Sequence, residues 1–266
     1  MPALGLGTWR YGEDPARRDG EIATLRLALD LGVTLIDTAE MYGNGAAESL
    51  IGEAIADRRD EVFLVTKVLP QNASLKRMAA ACEGSLRRLG ADHIDLYLLH
   101  WPGSVPPSET LNAFAELQAQ GKIRHFGVSN FDIDEMEKLW MAPGGREAQT
   151  NQVLYNLAHR GIEWDLLPWL REHEIPIMGY SPIGQGELLQ DQKLVKFALR
   201  YGMTPAQVAL TWLLKNKGVI AIPKTSRPDR LQEAHDALQH RLTNTQLEEL
   251  DELFLPPSGP KALEML

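Results

Sequence analysis

Four side chains able to exchange protons recur at one kind of place in this chain. Residues 35–43 read Leu-Ile-Asp-Thr-Ala-Glu-Met-Tyr-Gly, an apolar run that turns polar at Asp37, with Tyr42 five residues further on. Residues 62–68 form a second apolar run carrying Lys67 near its end, and residues 95–100 a third that closes on His100. Short apolar runs of this kind predict buried strands. Ser129, Asn130, Gln152, Tyr180 and Lys224 end later runs in the same way. A carboxylate, an ammonium, an imidazole and a phenol together make an acid–base set. Each alone has a structural explanation: a rim histidine, an edge lysine, a loop aromatic closing the fold. Repetition at corresponding positions of successive strands points instead to one shared site. A buried unpaired charge costs several kcal/mol, so Lys67 needs a partner, and Asp37 is the obvious one.

The elements that must hold these groups follow in regular order. The first strand covers 4–9, and a helix over 20–31 has Ile22, Leu25 and Leu29 on one face and Gly32 as its stop. After the Asp37 strand comes a helix over 46–56, and after the Lys67 strand a helix over 74–89 ended by Gly90. The His100 strand leads through a short Pro/Ser loop (102–107) to a helix over 108–120. Strand five covers 125–130, and Asp132 with Glu135 predicts a capping box for the helix after it. Strands six, seven and eight cover 149–155, 175–181 and 219–223. Helices follow over 162–172, in two pieces after strand seven, and over 228–240. Thr204 with Gln207 and Thr243 with Gln246 are capping boxes, the second opening a last helix over 247–254. Eight strands alternating with eight helices predict a single (β/α)8 TIM barrel domain over 1–266, with the polar strand ends at one mouth. A doubly wound sheet is the runner-up. The Gly-x-Gly-x-x-Gly turn it would use for a dinucleotide is absent, because Gly5 and Gly7 fall inside the first strand.

Composition narrows the partners. The 266 residues are 44% hydrophobic and 24% charged, ordinary for a globular protein. A net charge of −9 argues against nucleic acid, which needs a basic face. No run is long enough to span a membrane, and Met1-Pro2-Ala3 enters a strand at once, so no signal peptide is expected. Cys82 is the single cysteine, which excludes an internal disulfide and a thiolate metal cluster. The expectation is a cytoplasmic monomer that holds no metal.

Asp37, Tyr42, Lys67 and His100 resemble the catalytic tetrad of the aldo-keto reductases. Gly5-Leu6-Gly7-Thr8-Trp9, Gly179-Tyr180-Ser181-Pro182 and Ile222-Pro223-Lys224-Thr225 are similar to other signatures of that superfamily, in the same order along the chain. The nearest likeness is to small bacterial members that act on methylglyoxal or diketogluconate. The resemblance implies NADPH-dependent reduction of small aldehydes and ketones, with Tyr42 as proton donor. A free phenol near pKa ~10 is a poor acid at neutral pH. A lysine about 4 Å away contributes about 4 kcal/mol at an effective dielectric of about 20, enough to lower the phenol before burial takes some back. Asp37 would keep Lys67 charged, and neutral His100 would orient the carbonyl oxygen or share the proton.

The same resemblance assigns the NADPH (NADP+) contacts. Tyr180 stacks on the nicotinamide, with Ser129, Asn130 and Gln152 on its carboxamide. Gly7, Thr8, Trp9, Ser181 and Ile183 line the ribose and pyrophosphate. Lys224 and Arg230, with Thr225 and Ser226, grip the 2′-phosphate, for which two cations make sense. Glu233 fits an adenine contact, although Ala234 follows where many members carry asparagine. Trp9, Met41 and Trp101 are the expected substrate contacts. Many members begin with a hairpin under the barrel, and this chain starts too late for one, so the expectation is either an open floor or a hairpin outside these residues. A short loop after strand four and a short tail predict a shallow pocket open on one side. A nucleotide-binding regulatory barrel of the same superfamily is the alternative, and a lyase or isomerase using Lys67 as a Schiff base a third.

Overall fold

The eight strands β1 (Gly5–Gly7), β2 (Leu35–Asp37), β3 (Phe63–Val68), β4 (Ile94–Leu99), β5 (Ile123–Ser129), β6 (Asn151–Leu154), β7 (Ile177–Tyr180) and β8 (Val219–Ile222) lie side by side in chain order, every pair parallel. Bridges from Leu4 to Ala221 and from Gly7 to Lys224 join the first strand to the last and close the barrel. In this computed structural model residues 2–266 are described; Met1, the first residue of the expected 1–266 domain, lies outside them. No helix among the described residues is long and apolar enough to cross a membrane.

The outer ring is α1 (Arg18–Asp30), α2 (Ala46–Ala54), α3 (Leu75–Leu89), α4 (Pro107–Ala119), α5 (Ile133–Met141), α6 (Leu166–Glu172), α7 (Gln192–Arg200), α8 (Pro205–Leu214) and α9 (Pro228–Asp236), with α10 (Asn244–Leu253) added at the end. The three capping boxes form where the sequence places them, at Asp132, Thr204 and Thr243. Boundaries differ by a few residues. The helix expected over 228–240 tightens into a 3₁₀ turn after Asp236, and Thr8 and Trp9 leave β1 for a turn.

Pleating explains why the chemistry collects at one end. Side chains two apart on a strand share a face. On the inner face Leu35, Val65, Leu96, Leu98, Met178, Ile220 and Ile222 form one buried cluster. Continuing each inward phase by one step gives Asp37, Lys67, His100, Tyr180 and Lys224. The apolar plug therefore ends where the polar layer begins. Backbone bonds run past the strand ends and fix this layer: His100 N–H donates to Val68 O (2.9 Å), and Asn130 N–H to Gln152 O (2.9 Å). At the amino ends of the strands, Phe63 is half-buried and His125 exposed.

Candidate active site

Lys67 is the centre of the polar layer. It is fully buried, and its Nζ donates to Asp37 Oδ2 (2.8 Å), to Thr38 O (2.7 Å) and towards the Tyr42 hydroxyl (3.4 Å). Tyr42 stands at the start of a short 3₁₀ turn after β2, with Gly43 at φ +54° and Asn44 at φ +52° in the left-handed region. That turn brings the ring edge-on to His100, with centroids 6.0 Å apart. The four residues singled out by type and spacing are thus in one cluster, and Asp37 is the partner of Lys67.

Burial decides the proton affinities. For Tyr42 it is the largest influence and pushes the phenol up; Lys67 draws it down, Asp37 pushes it up, and the net is upward. The lowered phenol expected from the Lys67 charge alone is therefore corrected: enclosure outweighs the cation, and Tyr42 holds its proton at neutral pH. For Lys67 burial acts downward, but Asp37 and Tyr42 together carry the ammonium above its ordinary value. An ammonium held charged by three partners is no nucleophile, which removes the Schiff-base reading. Burial and then Lys67 push the His100 imidazole down to about 3, so it is neutral at any ordinary pH. Its buried Nδ1 has no hydrogen-bond partner among the described residues. Because Tyr42 and Lys67 are pushed up and His100 down to about 3, reductive kcat/KM is expected to be flat between about pH 5 and 8 and to fall only on the alkaline side. A pH–rate profile checks this; an acidic limb near 6.5 would show a charged His100.

The residues expected at the carboxamide form a chain behind the cluster. Gln152 Nε2 donates to Asp37 Oδ1 (2.7 Å), a link across 115 positions that no motif signalled. Ser129 Oγ donates to Gln152 O (2.8 Å), and Asn130 Nδ2 to His100 O (3.0 Å) and Ser129 Oγ (3.1 Å). The Tyr180 hydroxyl donates to Asn130 Oδ1 (3.0 Å). Ser181 follows at φ +48°, its carbonyl taking a bond from Asn156 Nδ2 (2.8 Å), and Ile183 is packed half-buried beside it.

Lys224 lies past β8, bridged to Gly7. A Cβ on Gly7 would come 3.2 Å from Ile222 O, a tight contact that glycine avoids. Thr8 is buried, its hydroxyl on Asp37 O (2.9 Å). Thr225 and Ser226 are half-buried, Arg230 is exposed at the start of α9, and Glu233 is half-buried one turn on, before core residue Ala234. Neither Lys224 nor Arg230 forms an ion pair among the described residues. Two more cations, Arg10 and Arg17, act on Lys224. Arg10 directly follows the Gly5–Trp9 stretch and was open to notice; Arg17 carries no motif.

The family model for the aldo/keto reductase family matches residues 3–254. The chain belongs to the aldo/keto reductase family. This aldo/keto reductase is 47% identical to the methylglyoxal reductase YeaE of Escherichia coli (strain K12) over 271 residues, covering 100% of this chain and 95% of the relative. It is 35% identical to the methylglyoxal reductase DkgA of the same organism, covering 95% of this chain and 90% of that one. Among solved structures it superposes on an aldo/keto reductase from Klebsiella pneumoniae, crystallised with NADP and acetate, at a TM-score of 0.98 and 46% identity, covering 100% and 96% of the two chains.

Around the mouth of this aldo/keto reductase, Trp9 and Met41 are exposed at 39% and 44%, and Trp101 packs half-buried on His100 with centroids 4.8 Å apart. In the loop after β4, Gly103 lies against Pro70, where a Cβ would come 2.6 Å from the proline Cβ. The tail departs from expectation. Leu263 N–H donates to Asp132 Oδ2 (2.9 Å), and 261–264 line a small cavity with Gly161, Ile162 and Asp165. The Leu266 backbone reaches the Tyr180 phenol, which burial pushes up to about 12 against that contact. Twelve residues are enough to return to the mouth because Asp132, already capping α5, gives them an anchor. The side expected to be open is therefore bordered by the tail.

Proposed function

We propose that this aldo/keto reductase reduces small aldehydes and ketones to alcohols with NADPH, as one barrel domain over 1–266. The observation that carries the reading is the buried Asp37–Lys67 pair with a protonated Tyr42 and a neutral His100 beside it. NADPH, when bound, supplies the hydride. The residues present fit that cofactor: Lys224 and Arg230 are cations that form no ion pair among the described residues, and a phosphate can pair with both. Gly7, Thr8, Trp9, Ser181 and Ile183 would line its ribose and pyrophosphate, Thr225 and Ser226 its 2′-phosphate, and Glu233 its adenine. Tyr180 would offer its ring to the nicotinamide, and Ser129, Asn130 and Gln152 their polar atoms to the carboxamide.

The protein's own work is acid–base. Tyr42 gives its proton to the carbonyl oxygen as negative charge grows there, and Lys67 stabilises the phenolate left behind. Asp37, held by Gln152, keeps Lys67 charged and aimed. His100, uncharged, orients the oxygen with Trp101 at its back. Trp9, Met41 and Trp101 present apolar surface to the substrate. We take the working form to be a cytoplasmic monomer whose partner is the small carbonyl compound, with neither nucleic acid nor membrane; the net charge of −9 supports this.

NADPH oxidation over a panel of carbonyls tests the reading. A mouth with a short loop after β4 offers few remote contacts, so uniform binding is weak and intrinsically electrophilic substrates suffer least. Methylglyoxal-like dicarbonyls and activated aromatic aldehydes are expected to exceed aldoses and steroids in kcat/KM. A hexose or steroid best by about tenfold would overturn the substrate class, and no oxidation with any carbonyl would overturn the reaction. For the cofactor, Arg230→Ala is expected to weaken NADPH by about ten- to a hundredfold and to leave NADH nearly unchanged, since a lost charge-assisted bond is worth roughly 1.5–3 kcal/mol. Equal loss for both would mean that Arg230 serves only α9.

A further inference from the structure

The backbone bonds of the turn that carries Tyr42 close within it: Tyr42 N–H donates to Ala39 O (3.0 Å) and Asn44 N–H to Met41 O (3.1 Å). Gly43, Asn44 and Gly45 run on at φ +54°, +52° and +91°, a left-handed stretch that asparagine adopts at a cost. Two residues before Tyr42, Glu40 reaches outward. Its N–H donates to Lys67 O at a long 3.3 Å. Its Oε1 accepts from Leu69 N–H (2.7 Å) and from Asn72 Nδ2 (3.1 Å). Leu69 lies just past the end of β3, and Asn72 ends the 3₁₀ turn that follows, Pro70–Asn72. One half-buried carboxylate therefore ties the loop after β2 to the loop after β3. The second loop is braced in turn, since Gly103 of the loop after β4 lies against Pro70.

We propose that Glu40 is a positioning residue for the acid: by clamping the loop after β2 to the end of β3, it fixes the Tyr42 hydroxyl against Lys67 Nζ. The inference rests on the reading above, in which Tyr42 is the proton donor. Lys67 is aimed by Asp37 Oδ2 and Thr38 O, bonds in which Tyr42 takes no part. The hydroxyl, in contrast, is 3.4 Å from Nζ, longer than an ordinary hydrogen bond, so a small outward drift of the turn would break the contact. Glu40 lies on the same loop as Tyr42 and bonds to the strand end that carries Lys67, so it opposes that drift. Both donors to its carboxylate are neutral amides. The clamp therefore needs an acceptor oxygen at the right reach, and not a negative charge.

Three variants of the whole chain separate reach from charge. Glu40→Gln keeps an acceptor oxygen at the same reach, Glu40→Asp keeps the charge but is one methylene short, and Glu40→Ala keeps neither. In single-turnover NADPH oxidation with a saturating small aldehyde, Glu40→Asp and Glu40→Ala are expected to lose about ten- to a hundredfold in rate, and Glu40→Gln to stay within about threefold of the parent. Dissociation constants for NADPH are expected to match the parent's in all three, because Glu40 bonds to none of the residues assigned to the cofactor. In a Tyr42→Phe background Glu40→Asp is expected to change the residual rate no further, since the hydroxyl through which it acts is gone. A glutamate that only stabilised the fold would lower the denaturant midpoint and leave the rate of the folded protein alone. The parent rate in both Glu40→Asp and Glu40→Ala, a Glu40→Gln loss as large as that of Glu40→Asp, or an undiminished Glu40→Asp effect in the Tyr42→Phe background would each overturn the proposal. Tyr42→Phe by itself tests the reading beneath it: if that variant keeps the parent rate, the proton-donor assignment falls, whatever Glu40 does.

Discussion

Tyr42→Phe is expected to fold and to bind NADPH like the parent protein, and to lose about 10²–10⁴-fold in kcat for carbonyl reduction. The ring keeps its edge contact with His100, and Lys67 keeps Asp37 Oδ2 and Thr38 O, so removing one hydroxyl leaves no buried charge unpaired. The hydroxyl is the one group of the cluster that holds a transferable proton beside a cation. Burial holds that proton at neutral pH and so stores the acid in its useful form. Its acidity is exerted when the carbonyl oxygen becomes anionic and Lys67, 3.4 Å away, takes up the charge of the phenolate. Single-turnover NADPH oxidation with a fast aldehyde separates this from cofactor release. Retention of more than about a tenth of the parent rate would move the acid role to His100.

Lys67→Met should lose turnover to a similar extent and, unlike Tyr42→Phe, should also lose stability. Methionine fills the same space without charge. Asp37, 2% exposed, would then keep only the Gln152 amide, and breaking one side of a buried pair costs about 3–5 kcal/mol. Denaturant unfolding reads the first effect and steady-state kinetics the second. The double variant Asp37→Asn/Lys67→Met tests whether the two are separable: it should regain most of the stability, because no lone charge is left buried, and none of the turnover. Recovery of turnover by the double variant would show that Lys67 acts only by balancing Asp37. Full stability of Lys67→Met would show that the Asp37–Lys67 pair adds nothing to the stability of the fold.

Much of this was legible before any coordinates. Eight apolar runs alternating with amphipathic ones dictate a parallel barrel, because helix and strand periods are local properties of the chain and each strand must bury both faces. The carboxyl-end placement of Asp37, Lys67 and His100 follows from the same count, and the cost of a lone buried ammonium is enough to pair Lys67 with Asp37. The capping boxes at Asp132, Thr204 and Thr243 are equally local. What the sequence did not contain are sums over atoms that only barrel closure brings together. The direction of the Tyr42 proton affinity is one, since the charge of Lys67 is visible in the sequence but the enclosure that outweighs it is not. The Gln152–Asp37 bond and the return of the tail to Asp132 are others, each joining residues more than a hundred positions apart. Glu21 is the clearest case: an acidic residue in the first turn of a helix reads as a partner for the helix dipole. Only the folding of α1 against the loop after β1 buries it and sets it on Gly12 N–H.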